Sequence, residues 1–180
     1  MRILLWGALL GMIGAASAAH AEDWVLNNST ISYSVSHPLH QSVGISHAAR
    51  GKGACKADRC DFLIAAPVKS FDSGDSNRDL HMLQVTRGGQ FPMITVRTTL
   101  SAKLFGPTVV ADLEVQFAGE TAHYTQVPFQ RVDDGERSRI TGIIPLNISD
   151  FKIVPPSLLA VPIKNQVPVR VDLTWQKRGP

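Results

Sequence analysis

The chain has 180 residues, 44% of them hydrophobic and 18% charged, which suits one compact domain rather than two. A formal net charge of +3 and a pI near 9.1 make it mildly basic. No run of Lys or Arg interleaved with aromatics appears, which argues against a nucleic-acid binder, and Lys177-Arg178 reads as a solvated tail.

Met1-Arg2 is followed by an apolar run from Ile3 to Gly14, then by small residues ending Ala19-His20-Ala21. A basic start, an apolar middle and an A-x-A-like end predict a secretory signal peptide over residues 1–21. The run is shorter than the roughly 20 residues a spanning helix needs, which weighs against a membrane anchor. The mature domain is then residues 22–180, an exported chain with no second long apolar run.

Trp24 to His37 reads as a long strand, with Ile31, Tyr33, Val35 and His37 on one face and Ser32, Ser34 and Ser36 on the other. Cys55 and Cys60 are the only cysteines, and strand-like sequence flanks both. Four residues between them fit a hairpin whose ends face each other, within disulfide range. Export supplies the oxidising compartment, and two cysteines are too few for a structural zinc site.

Ser70 to Val96 changes the period. Leu80, Leu83 and Thr86 recur at helical spacing, Ser73 or Asp75 can cap the start, and Gly88-Gly89 stops the turn. Strands resume at Phe91–Lys103, Val109–Phe117, Thr121–Val132, Glu136–Ser149 and Val167–Gln176, with a turn at Asp133-Asp134-Gly135. Strand following strand with short connections predicts an all-β fold with one short helix, built on an antiparallel sheet. About eight such strands close into a barrel or stack as a sandwich. Runs longer than the usual five or six residues favour a tall barrel. Gly44, Gly51, Gly53, Ala111 and Gly142 fall on the apolar face. Either they leave room for a ligand or they relieve barrel corners.

Three groups of residues carry a family resemblance. The central group is Ser70-Phe71-Asp72-Ser73-Gly74, Arg78-Asp79-Leu80-His81-Met82 and Phe91-Pro92-Met93-Ile94. Before it stand Trp24-Val25-Leu26 and Ile31 to His37; after it come Ile140-Thr141-Gly142 and Leu146 to Phe151. Together they resemble the YceI-like polyisoprenoid-binding proteins from Trp24 to Trp175. The resemblance implies an extended, lipocalin-like antiparallel barrel with a helix near its mouth, in the periplasm, binding isoprenoid chains in an apolar tunnel. Three positions depart from the family pattern: Arg87-Gly88-Gly89 after the helix, Phe117 to Thr121 after the middle strand, and Lys152 where a glycine is usual.

The expected walls are Ile31, Tyr33, Val35, Leu80, Leu83, Phe91, Leu113, Val115, Phe117, Phe129, Ile144, Leu146 and Phe151, with His37 and His81 at the barrel end fixing a head group or bracing the helix. Arg78-Asp79 is expected to tie the helix to the barrel. His37, His40, His47, His81 and His123 raise the alternative of a histidine-bound metal or haem. No H-E-x-x-H or Cys/His cluster accompanies them. No nucleophile elbow is present either, so the expectation is a non-enzyme without cofactor whose partner is an isoprenoid or other apolar lipid. A ligand-free interaction module is the other rival, and a homodimer is left open.

Overall fold

The computed structural model describes residues 22–37, 40–158 and 161–179; the predicted signal peptide and the side chains of His37 and His40 lie outside them. The strands are β1 (Glu22–His37), β2 (His40–Ser46), β3 (Arg50–Lys56), β4 (Arg59–Pro67), β5 (Met93–Ser101), β6 (Thr108–Phe117), β7 (Glu120–Asp134), β8 (Arg137–Asn147), β9 (Ser157–Leu158), β10 (Val161–Pro162) and β11 (Gln166–Arg178). Eight of them form a ring in the order β11-β8-β7-β6-β5-β4-β3-β1, closed by antiparallel pairing of β1 with β11. It is the expected barrel. Closure pairs each strand of the ring on both sides, and β2 extends from β1 beyond the ring.

β1 needs both of its flanks. One side pairs with β11 from Asp23 to Tyr33. The other pairs with β3 near its start and with β2 from Ile31 onward. A bulge between Leu26 and Asn28 shifts its phase. Strict alternation from Ile31 would turn Trp24 and Leu26 outward; the extra residue lets Trp24, Leu26, Ser29 and Ile31 all be buried.

The β3–β4 hairpin places Cys55 directly opposite Cys60, and they form the disulfide with Cα atoms 4.0 Å apart. A link this short in sequence restricts the unfolded chain little. Its loss is expected to cost about 2 kcal/mol, read as a lower melting temperature in reductant. An unchanged melt would mean that strand pairing alone holds the hairpin.

The inward glycines turn out to receive neighbouring rings. A Cβ on Gly44 would lie 2.4 Å from the Tyr33 ring, one on Gly53 2.3 Å from Phe62, and one on Gly142 2.5 Å from Phe129. Two of these rings, Phe62 over Gly53 and Phe129 over Gly142, fill the lower barrel and help fix its register, whereas Tyr33 over Gly44 stands at the upper cavity. In an ordinary strand interior Gly→Ala gains about 0.5–1 kcal/mol. At Gly53 the overpacking penalty of about 1–3 kcal/mol outweighs that gain. Gly53→Ala is therefore expected to lower stability in urea denaturation, and a more stable variant would refute the ring-on-glycine account.

Candidate ligand-binding site

Helix α1 (Ser76–Val85) begins where the Asp75 carboxylate accepts the backbone N–H groups of Asn77 and Arg78, so Asp75 rather than Ser73 is the cap. Ser73 has another task. Its N–H and hydroxyl donate to Asp79, and the Arg78 guanidinium donates to its hydroxyl and carbonyl oxygens. Arg78 and Asp79 are thus joined through Ser73, which ties the first helical turn to the segment leading into it.

The helix ends earlier than the glycines suggested. Gly88 N–H bonds to Leu83 O at 2.8 Å and Arg87 N–H to Gln84 O at 3.1 Å, with Arg87 left-handed at φ 56°. This is the Schellman pattern, with arginine in the position that glycine usually takes. Arg87 is held there by two contacts. Its guanidinium lies 5.5 Å over the Phe91 ring and donates to the Phe151 carbonyl at 3.3 Å.

Below the helix a cavity of about 540 Å³ opens into the barrel. Its walls are largely aliphatic, with Val167, Val169 and Val171 of β11, Ile144 and Leu146 of β8, Ile94 and Val96 of β5, and Ile64 and Ala66 of β4; Phe71 and Phe117 add two aromatic rings. Polar groups gather on the helix and the adjoining strand ends, where Asn77, Arg78 and His81 join Ser42 and Tyr33. The pKa of Tyr33 is raised, first by burial and then by the negative charge of Asp79, with Arg78 opposing. The phenol therefore stays protonated and able to donate a hydrogen bond through neutral pH.

A second cavity of about 130 Å³ adjoins it on the side away from the helix. Trp24, Phe62, Phe129 and Trp175 take up the space around it, and Phe62 meets Trp175 edge-on with centroids 5.1 Å apart. At its margin Arg131 stands over Phe105 at 4.6 Å while bonding Asp133 and Ser138. The contrast follows from side-chain volume: aromatics fill one half of the barrel, and valines and isoleucines on the same strands leave the other half hollow. The Trp24 indole N–H has no acceptor among the described residues.

Of the expected walls, Ile31, Tyr33, Val35, Val115, Phe117, Ile144 and Leu146 line the upper cavity, as does His81; Leu113 and Phe129 line the lower one, where Ile31 and Ile144 recur. Four stand elsewhere. Leu80 is on the outer face of the helix, 55% exposed, and Leu83 packs against Gly88 and the loop behind it. The helix presents Arg78, His81, Met82 and Val85 to the cavity instead. Its apolar residues occur at 80, 82, 83 and 85 and favour no single face, so spacing alone chose wrongly. Phe91 lies under Arg87 and against Gly119. Phe151 is fully buried behind Phe117, ring centroids 5.4 Å apart, and supports the wall without forming it.

Residues the sequence reading missed come from two sources. Ile64, Ala66 and Ile94 follow period-2 alternation and could have been found by extending it through β4 and β5. Ile153, Pro156 and Ile163 close the mouth from the irregular stretch before β11, where no period exists to read. That stretch is held by polar clamps. Tyr124 donates to Asp150 at 2.9 Å, and Asn165 bonds both the backbone and the hydroxyl of Ser149. Burial, then the hydrogen bond to Asp150, pushes the Tyr124 pKa up to about 12. Among the described residues no three His, Cys, Asp or Glu side chains are grouped to hold a metal, and no helix is long and apolar enough to cross a membrane.

Solved structures share this architecture. BcnA of Burkholderia cenocepacia superposes with a TM-score of 0.69 at 17% identity, over 81% of this chain and 95% of that one. A polyisoprenoid-binding domain from Saccharophagus degradans gives 0.66 at 15% identity, over 86% and 98%. The YceI protein of Campylobacter jejuni gives 0.55 at 10% identity, over 100% and 94%. No protein-family profile and no curated protein matches the sequence. The chain has the YceI-like barrel fold.

Proposed function

We propose that this chain is a YceI-like exported carrier that takes an isoprenoid or similar apolar chain, such as a quinone tail or a polyprenol, into the upper cavity. The observation that carries the reading is the distribution of polarity: an aliphatic chamber of about 540 Å³ whose polar groups collect at the helix-covered end. That arrangement suits an apolar tail with a polar head. A site for a compact polar metabolite would instead place donors and acceptors throughout.

Each isoprene unit brings five carbons, or about 4 kcal/mol of gross transfer free energy. Immobilising a flexible tail offsets part of it. Tyr33, Asn77, Arg78 and His81 then meet the head group. The polyisoprenoid-binding description of the Saccharophagus degradans domain supports this reading by likeness of fold. The disulfide and the N-terminal segment support export to the periplasm. No reacting constellation is needed, and the role is binding rather than catalysis.

Native mass spectrometry of protein purified from its own compartment tests the proposal. The expected result is a co-purifying apolar ligand, or uptake of added prenyl lipid. Failure of both overturns it.

A further inference from the structure

The two cavities have one boundary in common. Ile31, Ile64, Val96, Ile144 and Val171 line both. They come from β1, β4, β5, β8 and β11, and Ile31 pairs with Val171 as Ile64 does with Val96. The residues therefore form a partial belt, from five of the eight ring strands, between the hollow half and the aromatic half. All five are β-branched. Such side chains are restricted at χ1 and move aside less readily than Leu or Met would.

Resting on the carrier reading above, the geometry points to this belt as a stop that sets the length of chain the protein prefers. An apolar cavity of about 150 Å³ accommodates one benzene. By that measure the upper cavity, about 540 Å³, takes roughly 20 carbons, or about four isoprene units. The lower cavity, about 130 Å³, has room for about one unit more. A four-unit tail fills the upper chamber and ends at the belt. A fifth unit must either stay outside the mouth or displace stiff side chains packed on paired strands. Removing bulk from the belt joins the chambers and moves the preferred length up by about one unit.

The probes are linear prenyl alcohols from two to six units, with affinity measured by competition against a fluorescent lipid. For the natural chain, affinity is expected to climb roughly tenfold or more per unit up to about four units and then level off. In Ile144→Ala/Val171→Ala, which also remove wall contacts and so weaken binding at every length, the climb is expected to continue to about five units, and the length at which it breaks is the readout. Thermal melts confirm folding, and should the double variant not fold, Val171→Ala alone carries the same expectation at smaller amplitude. A natural chain whose affinity keeps climbing past five units, or variants that break at the same length as the natural chain, overturns the stop while leaving the carrier reading intact. No binding of any prenol by the natural chain overturns the carrier reading and the stop with it.

Discussion

Val169→Trp is expected to abolish uptake of prenyl lipids, by about 100-fold or more, while leaving the barrel folded. Val169 sits mid-strand in β11, opposite Ile144 on one side and Tyr33 on the other, and its side chain faces the upper chamber. An indole there occupies hollow space, so the usual overpacking cost of about 1–3 kcal/mol is largely avoided. The ligand loses the volume and the apolar contacts that drive its transfer. Ile143 supplies the control. It neighbours Ile144 but points outward and is 45% exposed, as alternation along a strand requires. Ile143→Trp is expected to bind as the natural chain does. Titration of both variants with the same lipid decides the matter, because undiminished binding by Val169→Trp would locate the ligand outside the barrel.

Phe151→Ala is expected to be the most destabilising single truncation near the mouth, costing about 3–5 kcal/mol. The ring is fully buried, packs edge-on against Phe117, and belongs to a short 3-10 turn, Ile148–Phe151. Three further ties converge on that turn: Tyr124 to Asp150, Asn165 to Ser149, and Arg87 to the Phe151 carbonyl. The polar ties set the turn's position, and the ring fastens it to the barrel. At roughly 2–4 °C per kcal/mol for a chain of this size, the melting temperature should fall by roughly 10 °C. A loss below about 1 kcal/mol would show that the polar ties hold the turn without the ring. The truncation also removes the support behind Phe117, a wall residue, so weaker lipid binding should accompany it.

Two departures from the family pattern have structural counterparts. Lys152, where a glycine is usual, is left-handed at φ 54° and caps the turn that ends at Phe151. Arg87, in the stretch where aromatics are common, is also left-handed, and it uses its side chain to bridge Phe91 and Phe151. Both positions call for a backbone conformation that costs a side-chain-bearing residue about 1–2 kcal/mol. At Arg87 the contacts made by the guanidinium offset that cost.

Much of the barrel was written in the order of the residues. Alternation in β1, β6 and β11 named most inward positions, the spacing of Cys55 and Cys60 named the hairpin, and the change of period after Ser70 named the helix. These are local signals, set by the geometry of a single strand, turn or helix. Three features could be decided only by the closed structure. The bulge between Leu26 and Asn28 exists because β1 must serve β11, β3 and β2 together, a demand no stretch of β1 expresses alone. The inward face of α1 is chosen by how the rim seats a helix whose apolar residues point in several directions. The division into a hollow half and a filled half depends on which rings lie over which glycines across neighbouring strands. Phe62 over Gly53 and Phe129 over Gly142 lie on neighbouring strands, and only strand register sets each ring on its glycine. A cavity is space that side chains leave, and that remainder is set by all eight strands at once.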